Sequence, residues 1–319
     1  MKKLLVTFLA GVIGFTSYGQ EIIIPTIFPD DIVQGEKLIE AYFTPMAESF
    51  GAGLNNGWYN TAKPHSLGGF DVTFTLNTVI IPNTAETFKI GDEFGNVFQS
   101  TKDEAATVFG NDGVTAMYYD PSSQVGTDSI PFNMPGGFKT PIMPLPMIQA
   151  GIGLIKNTAI DIRYMPILKV GDFNVNLFGI GLKHDLLQWI PGVGDAIPMS
   201  LSLQGGYTSI NTELEVADQK VSLNTKATTI NLVASKKILM LTGYAGVGYN
   251  SATTTFAADA NFNLDGIQFD ETVEIDFNSI KKLRTNIGLR LNIAVVTIQA
   301  DYTFSEYPTA TLGLGVSLR

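Results

Sequence analysis

The chain has 319 residues, 45% of them hydrophobic and 16% charged, with a mean hydropathy of +0.17. Its formal net charge of −10 argues against nucleic acid as a partner, because phosphates call for a basic surface. It contains no cysteine, which excludes disulfide frameworks, thiolate metal sites and lipidation on a leading Cys. No internal apolar run reaches the roughly 20 residues of a spanning helix, so a chain this apolar reaches a membrane only as a barrel.

Met1 to Gly19 reads as a signal peptide. Lys2 and Lys3 form the charged end, Leu4 to Phe15 the short apolar run, and Ser17 and Gly19 the small residues before a cut at Gln20. Export follows, and an apolar barrel pattern favours the outer membrane. Glu21 to Pro29 is proline-bounded and reads as extended. Asp30 and Asp31 then cap a helix. Ile32, Leu38, Ile39, Tyr42, Phe43 and Met46 fall at helical spacing, and Pro45 is expected to kink or end it. This amphipathic helix has two readings, a packing helix at a core or a periplasmic barrel mouth, or a plug inside the lumen. Phe50 to Gly69 has no Gly-Lys-Ser/Thr, so Gly51-Ala52-Gly53 is no phosphate loop. It reads as an ordered connection with Trp58 and Tyr59 at the barrel rim or mouth.

Phe70, Val72, Phe74 and Leu76 alternate with Asp71, Thr73, Thr75 and Asn77, which marks the first strand. Residues 83–143 have weak periodicity and many turn residues. They are expected to form a long outer loop, with a helical turn at Asp103 to Phe109 and room for a hairpin around Phe88 to Phe98. Their scattered acids match no EF-hand spacing.

A ladder of alternating segments follows. Ile148 to Leu154 turns at Lys156-Asn157 into Ile160, Ile162 and Tyr164, and Gly171-Asp172 is the next turn. Phe173, Val175 and Leu177 are expected to face lipid, with Asn174 and Asn176 in the lumen. Lys183 to Ile190 reads as a short helical segment ending at Pro191-Gly192. Met199, Leu201 and Leu203 resume the alternation against Ser200, Ser202 and Gln204. A polar loop is expected at Ser209 to Asn224. Ala227 to Lys236 and Ile238 to Tyr249 are expected to pair across Lys236-Lys237. Thr253 to Phe262 and Ile267 to Phe277, joined by Asp265-Gly266, read as strands extended above the membrane. Ile287 to Ile293, Val296 to Phe304 and Ala310 to Leu318 complete the pattern.

Short turns on one side and long loops on the other are the habit of outer-membrane barrels. The expected fold is therefore all-β, an antiparallel transmembrane β-barrel of about ten to twelve strands with an N-terminal amphipathic helix. The domains are a signal peptide at 1–19, a helical plug or periplasmic cap with the aromatic connection at 20–68, and a barrel at 69–319 with long outer loops at 83–143 and 250–280. Ten to twelve strands leave a narrow lumen, whereas an open channel needs about sixteen. The charges Asp71, Asp161, Arg163, Arg290 and Asp301 fall on the lumen face and should pair. With Tyr42, Phe43, Trp58 and Tyr59 they are the candidate lumen or binding residues. A soluble secreted β-sandwich carries the same alternation and is the third reading.

His65 and His184 are the two histidines. They show no metal-binding spacing and no nucleophile elbow, so no enzyme activity, catalytic residue, metal or cofactor is expected. Expected partners are outer-membrane lipid and a small hydrophobic ligand or another envelope protein.

Residues 49–65 (SFGAGLNNGWYNTAKPH), 149–156 (QAGIGLIK) and 181–191 (GLKHDLLQWIP) resemble a family of outer-membrane β-barrel proteins from the Bacteroidota. The resemblance spans most of the mature chain and implies location and fold. A helical segment ahead of a barrel also looks like the fatty-acid transporter (FadL-like) barrels, which have more strands and take hydrophobic substrates through a plugged lumen. The first functional expectation is therefore a narrow plugged barrel that binds or passes a small hydrophobic molecule. The second is a structural or interaction barrel presenting 83–143 and 250–280 to a partner.

Overall fold

A computed structural model describes residues 32–91, 94, 97–120, 130–170, 173–190, 198–216, 219–264 and 267–318. The expected signal peptide, the extended 21–29 segment, the Asp30-Asp31 cap and the turns at 171–172, 191–192 and 265–266 lie outside the described residues.

In chain order, helix α1 spans Ile32–Asn55 and strand β1 spans Phe70–Ile80. Five short strands follow: β2 (Thr87–Lys89), β3 (Phe98–Ser100), β4 (Glu104–Ala106), β5 (Thr115–Tyr119) and β6 (Ile130–Met134). The long strands are β7 (Ile142–Leu154), β8 (Thr158–Val170), β9 (Phe173–Asp185), β10 (Ser200–Val216), β11 (Gln219–Ile238), β12 (Leu241–Leu264), β13 (Ile267–Ile293), β14 (Val296–Phe304) and β15 (Thr309–Leu318). β1 and β7–β15 form one closed antiparallel barrel of ten strands. Closure comes from β1, which pairs with β15 from Phe70↔Leu318 and with β7 from Phe70↔Ile152. A closed ladder leaves no unpaired edge, which is what a backbone in lipid requires.

The period-two pattern sorts the side chains. Along β15, Leu312, Leu314, Val316 and Leu318 are exposed outward, while Thr311 and Thr309 are buried inward. The outward residues continue round the barrel as an apolar belt that includes Ile162, Ile180, Leu203, Ile230, Val247 and Leu289. Tyr164, Phe178, Tyr249 and Phe304 are exposed at one edge of the belt, and Phe70 and Trp189 towards the other. Aromatic residues at both edges of an apolar band match the interfaces of a bilayer.

One barrel end carries the tight turns. Lys156 and Asn157 (φ 55° and 45°), Leu239 (φ 56°) and Ala294 (φ 54°) reverse the chain there, with the left-handed backbone that two-residue hairpins use. We call this the turn end; Phe70 and Leu318 lie at it. The loop end carries the insertion at 83–141 and the extended parts of β10–β13. β12 and β13 have 24 and 27 residues, against the 9–11 or so that a tilted strand needs to span.

Several expectations are corrected. The insertion adds no barrel strand, so the count is ten. β2 pairs with β4, and β5 lies between β3 and β6, so the Phe88–Phe98 hairpin does not form. Residues 104–106 are a strand, not a helical turn. These two small sheets form a cap whose Phe94, Phe98, Phe109, Met117 and Tyr119 bury against Leu38 and Tyr42 of α1. The segment at 209–224 is not a loop, since β10 and β11 run through it, while β12 and β13 carry the paired extended strands expected at 253–262 and 267–277. The β11–β12 reversal is at Leu239-Met240 rather than Lys236-Lys237. On β9 the faces are inverted at the loop end. Val175 and Leu177 point inward, because the apolar helix beside them takes apolar partners, and Asn174 and Asn176 take the opposite face. Helix α1 runs on through Pro45 to Asn55.

Candidate functional site

Helix α1 lies inside the barrel and touches β1, β7, β10, β11, β12 and β13. It enters from the loop end. Leu38 and Tyr42 sit under the cap. Further down, Ala47 meets Leu223, Phe256, Ile275 and Phe277. Leu54 meets Met147, Leu177, Ile210, Ala227 and Ala252, a level just beyond the belt residues Phe178, Tyr207 and Tyr249. The predicted site residues Tyr42 and Phe43 belong to this upper region. The Tyr42 hydroxyl donates to the Gly136 carbonyl at 2.8 Å, and Phe43 stacks on Phe256 at 5.3 Å. Burial lifts the Tyr42 phenol from 10.0 to about 12.

Below Asn55 the chain leaves the helix and passes through the belt level as an irregular segment, 56–67. Irregular backbone at membrane depth is tolerated only when protein groups satisfy its amides and carbonyls. The polar lumen wall does this. Arg163 donates from Nη1 to the Leu54 carbonyl and from Nη2 to the Asn56 carbonyl, both at 2.7 Å. Arg284 donates to the Asn55 carbonyl at 2.7 Å. Asn77 donates to the Gly53 carbonyl at 2.8 Å, and Gln149 to the Trp58 carbonyl at 3.3 Å. The Ala62 amide donates to Ser235 Oγ at 2.9 Å, and its carbonyl accepts from Ser202. Two arginines thus hold the carbonyl end of α1, where cations complement the helix dipole.

The side chains of the segment are seated equally closely. Trp58 and Tyr59, expected at the rim, are fully buried at belt level. Trp58 lies on a floor made by Gly181 and Gly206, cross-strand partners on β9 and β10. A Cβ at either glycine would approach the indole to 2.7 or 2.5 Å. The Arg163 guanidinium covers the ring from the other side, 3.6 Å from its centre. The Tyr59 hydroxyl donates to Asn286 Oδ1 at 2.7 Å. Gly57 turns the chain with φ +75°, and a Cβ there would also press on Thr75 at 2.9 Å.

Asp71, Asp161, Arg163, Arg290 and Asp301 all face the lumen and are buried. Their contacts differ from simple mutual pairing. Asp71 pairs with His65 at 2.7 Å and accepts from Thr73 at 3.0 Å. Gln149 bridges Asp161 and Arg163, donating to the first at 3.2 Å and accepting from the second at 3.0 Å. Arg290 donates to Asn60 Oδ1 at 2.6 Å, and Asp301 accepts from Tyr244 at 2.8 Å. Arg284 was missed by sequence reasoning. It shares its face of β13 with Asn286 and Arg290, so the alternation carried one step further would have found it.

A cavity of about 10 Å³ remains among Trp58, His65, Asp71, Asp161, Lys183 and Gln299, room for about one water. At the turn end, His184 lies 2.8 Å from Thr158 Oγ1 through Nδ1, and its Nε2 accepts from the Trp189 indole at 2.8 Å.

A family model described as a family of unknown function (DUF6588) matches residues 1–318, and the chain belongs to that family. No curated protein sequence matches it. Among solved structures, the translocator domain of autotransporter NalP from Neisseria meningitidis is similar at 12% identity and a TM-score of 0.34, covering 92% of this chain and 99% of that one. The outer membrane protease OmpT from Escherichia coli is similar at 10% identity and a TM-score of 0.31, covering 78% and 97%. A mutant of the TodX monoaromatic hydrocarbon channel is similar at 9% identity and a TM-score of 0.28, covering 84% and 70%.

Proposed function

We propose that this member of the family is an outer-membrane barrel sealed by its own chain, acting as a structural or interaction barrel that presents its loop-end cap to a partner. One observation carries the reading. At belt level the lumen is occupied by residues 56–67, and the wall's polar side chains are engaged with that segment's backbone and side chains. The cavity among Trp58, His65, Asp71 and Asp161 measures about 10 Å³, enough for a water and too little for a hydrocarbon. Passage of a small hydrophobic molecule, the first expectation from sequence, would require this segment to leave the lumen and its carbonyls to lose their donors. Membrane placement is supported by the closed ladder and the continuous apolar belt, and orientation by the tight turns, which face the periplasm in outer-membrane barrels.

The reading is non-enzymatic. His65 is committed to Asp71, and His184 to Thr158 and Trp189.

Two measurements test it. Membrane fractionation with heat-modifiable gel mobility should place the protein in the outer membrane as a folded barrel. In planar bilayers the purified protein should show no steady conductance. A stable open channel, or extraction of the folded protein without detergent, would overturn the proposal.

A further inference from the structure

We infer that α1 and residues 56–69 form an eleventh passage of the chain through the barrel, so that the start of α1 is held on the outer face of the membrane. The inference rests on the orientation proposed above.

Ten antiparallel strands bring the two ends of the barrel wall, Phe70 and Leu318, to the same end, where they pair. An even number of crossings cannot separate them. The lumen segment adds one crossing of its own. Its direction is read from its contacts: Leu38 and Tyr42 under the cap, Leu54 at the loop-end edge of the belt, Trp58 on the belt-level glycines, and His65 against Asp71 near the start of β1. Gly68 and Gly69 then exchange backbone hydrogen bonds with Gly153 at 3.1 and 2.8 Å, which fixes the exit at the turn end. An odd total of crossings leaves Ile32 at the loop end.

Length agrees with this path. A 24-residue helix is about 36 Å long at 1.5 Å per residue. That carries the chain from the cap through the extended part of β10–β13 to the top of the belt. The irregular segment covers the belt itself.

The chemistry fixes the polarity of the passage. The carbonyl end of α1 is the end that Arg163 and Arg284 hold. A helix inserted the other way would point its amide end at two guanidinium groups, with like polarity. The upper half is joined to the cap as well, since the Val108 amide donates to the Tyr42 carbonyl at 3.1 Å and Tyr42 Oη to Gly136. Plug and cap therefore form one body on the outer side. The barrel wall therefore holds the start of α1 at the cell surface, beside the cap.

The absence of native cysteine makes the test direct. Three single variants, Thr26→Cys, Asp112→Cys on the cap and Lys156→Cys at a tight turn, are exposed to a membrane-impermeant maleimide. Labelling is compared on intact cells, after outer-membrane permeabilisation and after denaturation. Thr26→Cys and Asp112→Cys should label on intact cells, and Lys156→Cys only after permeabilisation. Thr26→Cys labelling together with Lys156→Cys and apart from Asp112→Cys overturns the inference, as does labelling only after denaturation. Labelling of Lys156→Cys on intact cells with protection of both others overturns instead the orientation in the proposed function, while the eleventh passage stands.

Discussion

The Arg163 guanidinium lies 3.6 Å from the centre of the Trp58 ring while its two terminal nitrogens hold the carbonyls of Leu54 and Asn56. One wall residue therefore fixes both the end of the helix and the first large side chain of the irregular segment. Trp58→Ala should cost about 3–5 kcal/mol, the usual range for a buried aromatic. Arg163→Lys keeps the charge but not the fork. It should leave at least one buried carbonyl without its donor, at about 1–3 kcal/mol each. A double-mutant cycle between the two sites should return a coupling of about 2 kcal/mol, the range for a desolvated cation–π contact. Thermal unfolding in detergent reads all three, and strictly additive losses would show that the stacking contributes nothing.

The glycine floor makes a second prediction, because it separates wall chemistry from wall shape. Gly181→Val and Gly206→Val put new carbons inside the Trp58 ring's contact distance. The wall is rigid at a central ladder position, so the indole must move. Either variant should loosen the segment, lower the unfolding midpoint and introduce conductance in planar bilayers. Gly205→Val is the control. A Cβ there finds its nearest neighbour at 4.0 Å, and it should leave the barrel closed. Equal behaviour of Gly205 and Gly206 variants would remove Trp58 from the seal.

The barrel was legible where one face met lipid. β14 and β15 alternate cleanly, since Leu312, Leu314 and Val316 face a uniformly apolar solvent and Thr309 and Thr311 a polar lumen. The pattern failed where that contrast ends. Above the belt, β10 and β11 carry polar residues such as Asn211, Glu213 and Asn224 on the outward face, so Ser209 to Asn224 reads as a polar loop. Val175 and Leu177 misled for the opposite reason: the lumen is apolar there because Leu54 fills it. The insertion was illegible because its strands are three to five residues long, too short for periodicity. At the site, the sequence marked the lumen charges and the aromatic pair. It did not show that Arg163 holds the carbonyls of Leu54 and Asn56, or that Asp71 and Arg290 pair with His65 and Asn60 of the threaded segment, contacts that no local pattern encodes.

Tyr42 carries a pH prediction outside the membrane-spanning strands. Burial raises its phenol to about 12 from 10.0, so the folded state binds this proton more tightly than the unfolded chain. The stabilisation is fully present below pH 10 and is lost as pH rises through about 12. The joint between plug and cap should thus weaken only at strongly alkaline pH. Tyr42→Phe removes that dependence and the bond to Gly136, at about 1 kcal/mol near neutrality. Following the unfolding midpoint from pH 8 to 12 for both proteins checks the sign; a wild-type loss beginning well below pH 10 would assign the effect elsewhere.

Two cations two residues apart on β13 should behave in opposite ways. Lys282 pairs with Glu306 on the β14–β15 turn, with both side chains about half exposed, at 43% and 50%. Such a pair is solvated in either state, screened by salt, and limited by side-chain entropy. Glu306→Gln should therefore change stability by less than about 0.5 kcal/mol, with little salt dependence. Arg284 is buried, and its Nη1 supplies a donor to the Asn55 carbonyl at the end of α1. Arg284→Met should cost several-fold more, because a buried carbonyl loses its partner with no water to replace it. Measured side by side in the same detergent, the two variants distinguish charges that hold the threaded backbone from charges that decorate the rim. A cost for Glu306→Gln matching that for Arg284→Met would mean that net charge, rather than backbone satisfaction, governs the stability of the plug.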